Sequence, residues 1–280
     1  MAEIGELNKL KVVRKLDFGV YLDGGNLGEI LLPRDYVPEN CLVNDFIEVF
    51  IFFDSKDRII ATTDKPYAMV NEFAYLKVKS VTDVGAFLDW GLNKDLFVPF
   101  REQKKGMVAG KSYIVYIYLD TKSNRLAASE RLDRFMDKGD VDYEEGELVK
   151  LLICFKTDLG YKAIINGSNW GVLYHNEIFG SVKIGQRLNG YIKKVREDNK
   201  IDLTLQKPGI EKVVDVYEKI IQKLKDSGGY LAVTDKTEAE LIYELFGVSK
   251  KTYKKAVGAL YKRRLITIEE NGIKLIVTKE

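Results

Sequence analysis

Asp17-Phe18-Gly19-Val20-Tyr21-Leu22 is the stretch that decides the fold, because its pattern returns twice, as Asp83-Val84-Gly85-Ala86-Phe87-Leu88 and as Asp158-Leu159-Gly160-Tyr161-Lys162-Ala163. Fourteen residues after each glycine an apolar run ends, at Pro33, Pro99 and Tyr174. About forty residues after each glycine a basic residue opens a further short run: Arg58-Ile59-Ile60-Ala61, Arg125-Leu126-Ala127-Ala128 and Lys200-Ile201-Asp202-Leu203. Self-similarity at near-constant spacing means one supersecondary unit built three times.

Runs rich in Val, Ile, Phe and Tyr predict strands in each unit. They fall at 8–15, 18–23, 27–32, 46–52 and 58–63, at 74–80, 84–89, 95–99, 111–119 and 124–128, and at 148–155, 159–165, 170–174, 187–196 and 200–205. Asp23-Gly24-Gly25-Asn26 marks a hairpin turn. Five short strands in about 60 residues is the pattern of a small closed Greek-key barrel, the OB-fold. Strand side chains alternate between faces, so a bulge at the glycine is expected to bring the residues one before and two after it onto one face. In the first unit these are Phe18 and Tyr21. Two neighbouring rings on an exposed sheet stack bases at about 1–3 kcal/mol each. Core packing is the competing role for every such ring.

From Glu211 the period becomes helical. Val213, Val214, Val216, Tyr217, Ile220, Ile221 and Leu224 share a face, and Gly228-Gly229 ends the helix. A second helix is expected near Thr237, where Thr237 and Glu240 fit a capping box, and it stops at Gly247. A third starts at Ser249 and runs to about Arg264. Leu265–Glu269 and Ile273–Val277 flank Asn271-Gly272, a hairpin signal. On the third helix Tyr253, Ala256, Val257, Leu260 and Tyr261 form an apolar side, with Lys251, Lys254, Lys255 and Lys262 opposite. Such a stripe suits phosphates; a solvated face on a protein-interaction module is the other reading.

The net charge of +2 hides a gradient. Basic against acidic residues number 8 and 12 in 1–70, 12 and 13 in 71–145, 10 and 6 in 146–210, and 14 and 11 in 211–280. A polyanion is drawn to the C-terminal half. With one histidine, two distant cysteines (Cys41 and Cys154) and no CxxC, neither a zinc site nor a disulfide scaffold is expected. No apolar run is long enough to span a membrane, and no signal peptide is expected, so the setting read from the sequence is cytoplasmic. No cofactor, metal or small-molecule substrate is implied. The acidic residues are scattered, without DxD or HExxH, which leaves a nuclease little support.

Each repeat resembles the S1-type RNA-binding domain, an OB-fold with an aromatic-Gly-x-aromatic motif, a later Gly-Leu-x-His segment, and an Asp followed four residues on by a basic residue. The first unit matches it with Phe18, Gly19, Tyr21, Asp54 and Arg58, though Pro33 stands at the histidine position. The second has Gly85, Phe87, Asp120 and Arg125, with Val84 for the first aromatic and one extra residue before the arginine. The third has Gly171-Val172-Leu173-Tyr174-His175 and Gly185-Gln186-Arg187-Leu188-Asn189-Gly190-Tyr191, but Leu159 and Lys162 replace the aromatics. The C-terminal segment resembles a winged helix-turn-helix domain.

That order resembles the conserved virulence factor B family of bacterial proteins. The fold class expected is therefore multidomain and mainly β: S1-like OB-fold five-stranded barrels at 1–66, 67–144 and 145–208, then an α+β winged helix at 209–280. The resemblance implies a post-transcriptional regulator that binds RNA. Charge favours the third barrel and the winged helix for single-stranded RNA, with bases on Tyr161, Trp170 or Tyr174 and phosphates on Lys193, Lys194, Arg196, Lys200, Lys251, Lys254, Lys255 and Lys262. Phe18, Tyr21, Arg58 and Phe87 are the candidates in the first two barrels. The alternative is a DNA-binding transcription regulator that uses the winged helix. Base readout in DNA normally uses Arg, Asn or Gln, whereas the third helix opens Ser249-Lys250-Lys251-Thr252.

Overall fold

The computed structural model describes every residue except 121–122, 124, 140, 179–180, 207–210, 235 and 277–280, and it leaves out the side chains of 211–215. The expected contributions of Val213, Val214 and Val277 therefore lie outside the described residues. The chain forms two compact units, 1–136 and 137–280.

The first unit holds two barrels. One is built from β1 (Leu7–Leu16), β2 (Gly19–Asp23), β3 (Glu29–Pro33), β4 (Phe46–Phe53) and β5 (Ile59–Thr62). The other is built from β6 (Phe73–Val81), β7 (Gly85–Asp89), β8 (Leu96–Pro99), β9 (Ser112–Asp120) and β10 (Arg125–Ser129). The second unit opens with β11 (Leu148–Thr157), β12 (Gly160–Ile165), β13 (Asn169–Tyr174), β14 (Arg187–Val195) and β15 (Ile201–Thr204). All three sheets close in the same order, with the first strand beside the second and fourth, and the fifth between the third and fourth. A parallel pairing of third and fifth strands completes each circle, for example Leu31 opposite Ile60. Closure leaves no strand edge open to another chain.

The repeated glycine is required by strand approach. Gly19, Gly85 and Gly160 have φ of 153°, 153° and 147°. A Cβ there would stand 2.3, 2.3 and 2.1 Å from the carbonyl oxygens of Leu32, Val98 and Leu173. The bulge expected at the glycine is elsewhere. Gly19 pairs in register with Leu16, and the register shifts on the partner strand between Val12 and Arg14. The other barrels shift at the matching places, between Val78 and Ser80 and between Ile153 and Phe155. The extra residue in the longer first strand re-aims its outer end. The expected Asp23–Asn26 turn is a single 3-10 turn, Gly25–Leu27, entered by a hydrogen bond from the Gly25 amide to Asp23 Oδ1 at 3.0 Å.

Inward positions fill each barrel. Val12, Val20, Leu22, Ile30, Leu32, Val49, Ile51 and Ala61 make the first core. On β4 the alternation fails: Phe50 and Phe52 point outward and are still buried. They join the core cluster of the second barrel, where Phe50 meets Trp90 edge-on at 5.6 Å. Lys94 Nζ donates to the Asp54 carbonyl at 2.7 Å across the same junction, and Arg125 pairs with Asp57. The two barrels of this unit are thus packed as one body. The third barrel has its own core around Leu151, Ile153, Ile165 and Leu203.

The remaining elements are α1 (Glu211–Asp226), β16 (Tyr230–Leu231), α2 (Ala239–Phe246), α3 (Lys250–Lys262), β17 (Ile266–Glu269) and β18 (Gly272–Leu275), a winged helix whose sheet runs β16-β18-β17. Val216, Ile220, Leu224, Ile242, Phe246 and Tyr253 lie in its core. α1 ends as expected, with the Gly229 amide on the Leu224 carbonyl at 2.7 Å. Ser249 caps α3 by accepting from the Thr252 amide at 3.1 Å. The Thr237–Glu240 capping box does not form: α2 starts after Glu238, and Thr237 Oγ1 instead accepts from the Thr234 amide. The wing hairpin forms, but Gly272 lies in β18 and not in the turn. It is small because the Leu231 carbonyl would meet its Cβ at 2.3 Å.

Candidate nucleic-acid interface

Strand register selects one transverse row of outward residues on each barrel. On the first it reads Phe52, Ile60, Leu31, Tyr21, Arg14. On the second it reads Tyr118, Ala127, Phe97, Phe87, Ser80. On the third it reads Lys194, Asp202, Val172, Lys162, Phe155. One geometry therefore carries three chemistries: apolar, aromatic and charged.

On the first barrel, packing against the second covers Phe52 and Ile60. What stays open is Tyr21, with the Arg14 guanidinium 4.1 Å above its ring and Arg14 held by Glu29 at 2.7 Å. Phe18 is exposed and meets Tyr21 edge-on at 6.4 Å. Arg58 serves a turn. The Asp54 carboxylate accepts from its amide, Nε and Nη2 at 3.0, 2.8 and 2.7 Å and from the Lys56 amide at 2.8 Å. Burial opposes the charge on Asp54, but these hydrogen bonds prevail and hold its carboxyl below the ordinary range.

On the second barrel, Phe87 and Phe97 lie 5.1 Å apart and floor a cleft of about 680 Å³. Ala127, Phe52, Phe53, Arg101 and Arg125 are among its lining residues. Tyr118 closes the row and stacks on Phe135 at 5.8 Å, and burial raises its hydroxyl above the usual phenol range.

On the third barrel, Lys162 Nζ lies 4.0 Å above the Trp170 ring, and Phe155 meets Trp170 at 6.0 Å. The pair is shifted by one strand relative to the first barrel: there the cation comes from the first strand and the ring from the second, here from the second and the third. Tyr174 accepts from Arg196 Nη2 at 2.7 Å, while Arg196 Nε donates to Asp202 at 3.0 Å. Lys193 pairs with Glu177 at 2.7 Å and Lys200 with Asp198 at 2.6 Å. Exposed pairs of this kind are worth about 0–1 kcal/mol, so a phosphate can take either cation from its carboxylate. Lys194 is exposed. Tyr161 is partly buried against the core and lies 6.4 Å from His175, ring planes at 72°. On α3, Lys251, Lys254, Lys255 and Lys262 are all exposed, opposite buried Tyr253, Ala256, Val257 and Leu260.

The S1 domain model matches residues 4–64 and 72–130, covering the first two barrels, and the CvfB-like winged helix domain model matches residues 218–275. YitL of Bacillus subtilis is 27% identical over 96% of this chain and 92% of its own length. Conserved virulence factor B of Staphylococcus saprophyticus is 23% identical over 97% of this chain and 94% of its own length. The chain carries S1 domains and a CvfB-like winged helix domain, and it is similar to conserved virulence factor B over nearly its whole length. A solved multidomain protein with nucleic acid binding domains from Streptococcus pneumoniae covers 98% of both chains at 22% identity, with a TM-score of 0.42.

Within this architecture, motif reading singles out Phe18, Tyr21, Phe87, Trp170, Tyr174 and the lysines as candidates; the structure places Phe97, Tyr118 and Phe155 in the same outer rows and sets Lys162 over Trp170. Aligning the three units strand by strand would have paired Phe97 with Leu31 and Val172. Residues 148–204 lie outside the S1 match, yet they keep the strand order, the first-strand bulge and the strained glycine. None of the described helices is long and apolar enough to cross a membrane.

Proposed function

We propose that the chain is a non-catalytic nucleic-acid-binding protein whose ligand is single-stranded RNA, held by the third barrel and α3, and that it acts in post-transcriptional regulation in the bacterial cytoplasm. The observation that carries this reading is the third barrel's outer face, where Trp170 and Tyr174 lie beside Lys162, Lys194 and Arg196. Flat rings take the faces of unpaired bases, which a duplex hides, and neighbouring cations take the phosphates. Bases stack on Trp170 and Tyr174. Phosphates meet Lys193, Lys194, Arg196 and Lys200, and on the winged helix Lys251, Lys254, Lys255 and Lys262. S1 domains in two barrels and the excess of basic residues after 146 support the same class of ligand. The name of the staphylococcal relatives supports a link to virulence. Duplex readout is less well supported: α3 opens on lysines, and Glu269 and Glu270 at the wing tip repel a phosphate backbone.

The test is filter binding of a U-rich oligoribonucleotide to the full chain as salt is varied. Replacing Lys193, Lys194 and Arg196 by alanine is expected to weaken binding and to make the slope of log K against log salt shallower by about 2, at about 0.7 per lost phosphate contact on a single strand. Parental affinity and slope in that variant would remove the third barrel from the site.

A further inference from the structure

The turn that leads into β4 of the first barrel carries apolar side chains that the barrel does not need. Leu42, Val43 and Phe46 are 66%, 45% and 62% exposed. The turn itself is fixed. The Asp45 amide donates to the Leu42 carbonyl at 3.2 Å, and Asp45 Oδ2 accepts from the Leu42 amide at 2.8 Å. The Asn44 amide donates to the Val12 carbonyl and the Asp45 carbonyl accepts from the Val12 amide, each at 2.8 Å. Lys15 Nζ donates to the Cys41 carbonyl at 3.1 Å. A surface held this firmly has little backbone freedom left to lose on binding. The other two barrels make the same turn: the Gly110 amide donates to the Val78 carbonyl and the Gly185 amide to the Ile153 carbonyl, each at 2.8 Å. They place Ser112 and Arg187 where the first barrel has Phe46, and Lys111 and Gln186 where it has Asp45. Closure of the barrel therefore does not ask for a ring at this place.

A cavity of about 490 Å³ opens beside the ring. Among the described residues its lining carries three carboxylates, Glu39, Asp45 and Glu48, and no lysine or arginine. Lys65 pairs with Glu48 at 3.2 Å, and Lys11 stands opposite Phe46 on β1. Residues 1–70 carry 12 acidic against 8 basic side chains, so this barrel repels a polyanion and draws a cation. We infer that the turn and its cavity form a protein-docking surface, and that the occupant is an exposed segment of a partner protein in which an arginine or lysine stands beside a large apolar side chain. The apolar side chain packs on Leu42 and Phe46, and the cation enters among Glu39, Asp45 and Glu48. Exposed apolar patches with a polar rim mark such surfaces, and arginine is enriched among the residues that carry their affinity. The exposed Lys65–Glu48 pair is worth about 0–1 kcal/mol, so an incoming guanidinium can displace it. The surface uses none of the residues assigned to RNA.

A displayed library of random short peptides, panned on the full chain with the Phe46→Ser chain as counter-selection, tests this. Serine is the residue at the matching place of the second barrel, so the variant keeps the fold. Enriched peptides are expected to carry Arg or Lys beside Leu, Phe, Tyr or Trp. Fluorescence anisotropy of the best of them should show binding about tenfold weaker to Phe46→Ser and to Glu39→Lys. The variant lacking Lys193, Lys194 and Arg196 should bind that peptide like the parent, and Phe46→Ser should bind U-rich RNA like the parent, which separates this inference from the third-barrel reading. No enrichment over the Phe46→Ser chain, enrichment of acidic peptides, or unchanged peptide affinity in both variants overturns it. Displacement of the peptide by a U-rich oligoribonucleotide would give the surface to nucleic acid and overturn it as well. Sedimentation of the full chain tests the remaining occupant: a dimer that Phe46→Ser dissolves would assign the surface to a second copy instead.

Discussion

An added methyl at Gly160 would stand 2.1 Å from the Leu173 carbonyl oxygen, on a backbone whose φ of 147° side chains rarely adopt. The strand must shift or the pairing must open. Gly160→Ala is therefore expected to destabilise the third barrel by about 2–4 kcal/mol, read as a lowered urea midpoint. An unchanged midpoint would mean that β12 and β13 do not approach as described. The three glycines were legible in the sequence as a repeat; their reason was not, because the facing carbonyl is known only once the strands are in register. The same holds for the outward row of the second barrel. Phe97 lies twelve residues after its glycine, outside the aromatic motif, and reaches the outer row only through pairing with Phe87 and Ala127. Lys162 reads as a lost aromatic by motif, whereas in space it covers Trp170.

Elements were legible where local chemistry decides. Strand ends fall within about two residues of the alternation pattern, since inward β-branched residues and flanking turns set them. Ser249 caps α3 as its type suggests. Ser249→Ala should cost about 1 kcal/mol, because the Thr252 amide loses its acceptor; thermal unfolding followed by helical circular dichroism checks this, and a melting point equal to the parent's would show that the cap carries no stability. The Thr237–Glu240 pair fails for a local reason: Thr237 is already engaged with the Thr234 amide, so the helix starts one residue later than a box would place it. The bulge was misplaced because a glycine of permissive φ invites a local explanation, while the distortion lies on the partner strand.

At the scale of the whole molecule, the apolar run Val49–Phe52 is buried on both faces because a second barrel covers the outer one. An apolar strand without alternation carries that information in sequence, although it does not say what the cover is. Charge separates the molecule more sharply than motif does. The two barrels matched as S1 domains carry more acidic than basic residues, and the third barrel and winged helix carry the basic excess. The central claim is that flat rings on the third barrel hold unpaired bases. The most direct measurement is a competition: labelled single-stranded RNA on the full chain, challenged with unlabelled single strand, with duplex DNA of the same sequence, and repeated with Trp170→Ala. The account predicts that duplex competes at least about tenfold more weakly than single strand, and that Trp170→Ala lowers single-strand affinity by about tenfold. Duplex displacing the strand as well as the strand displaces itself, with Trp170→Ala binding like the parent, would contradict it.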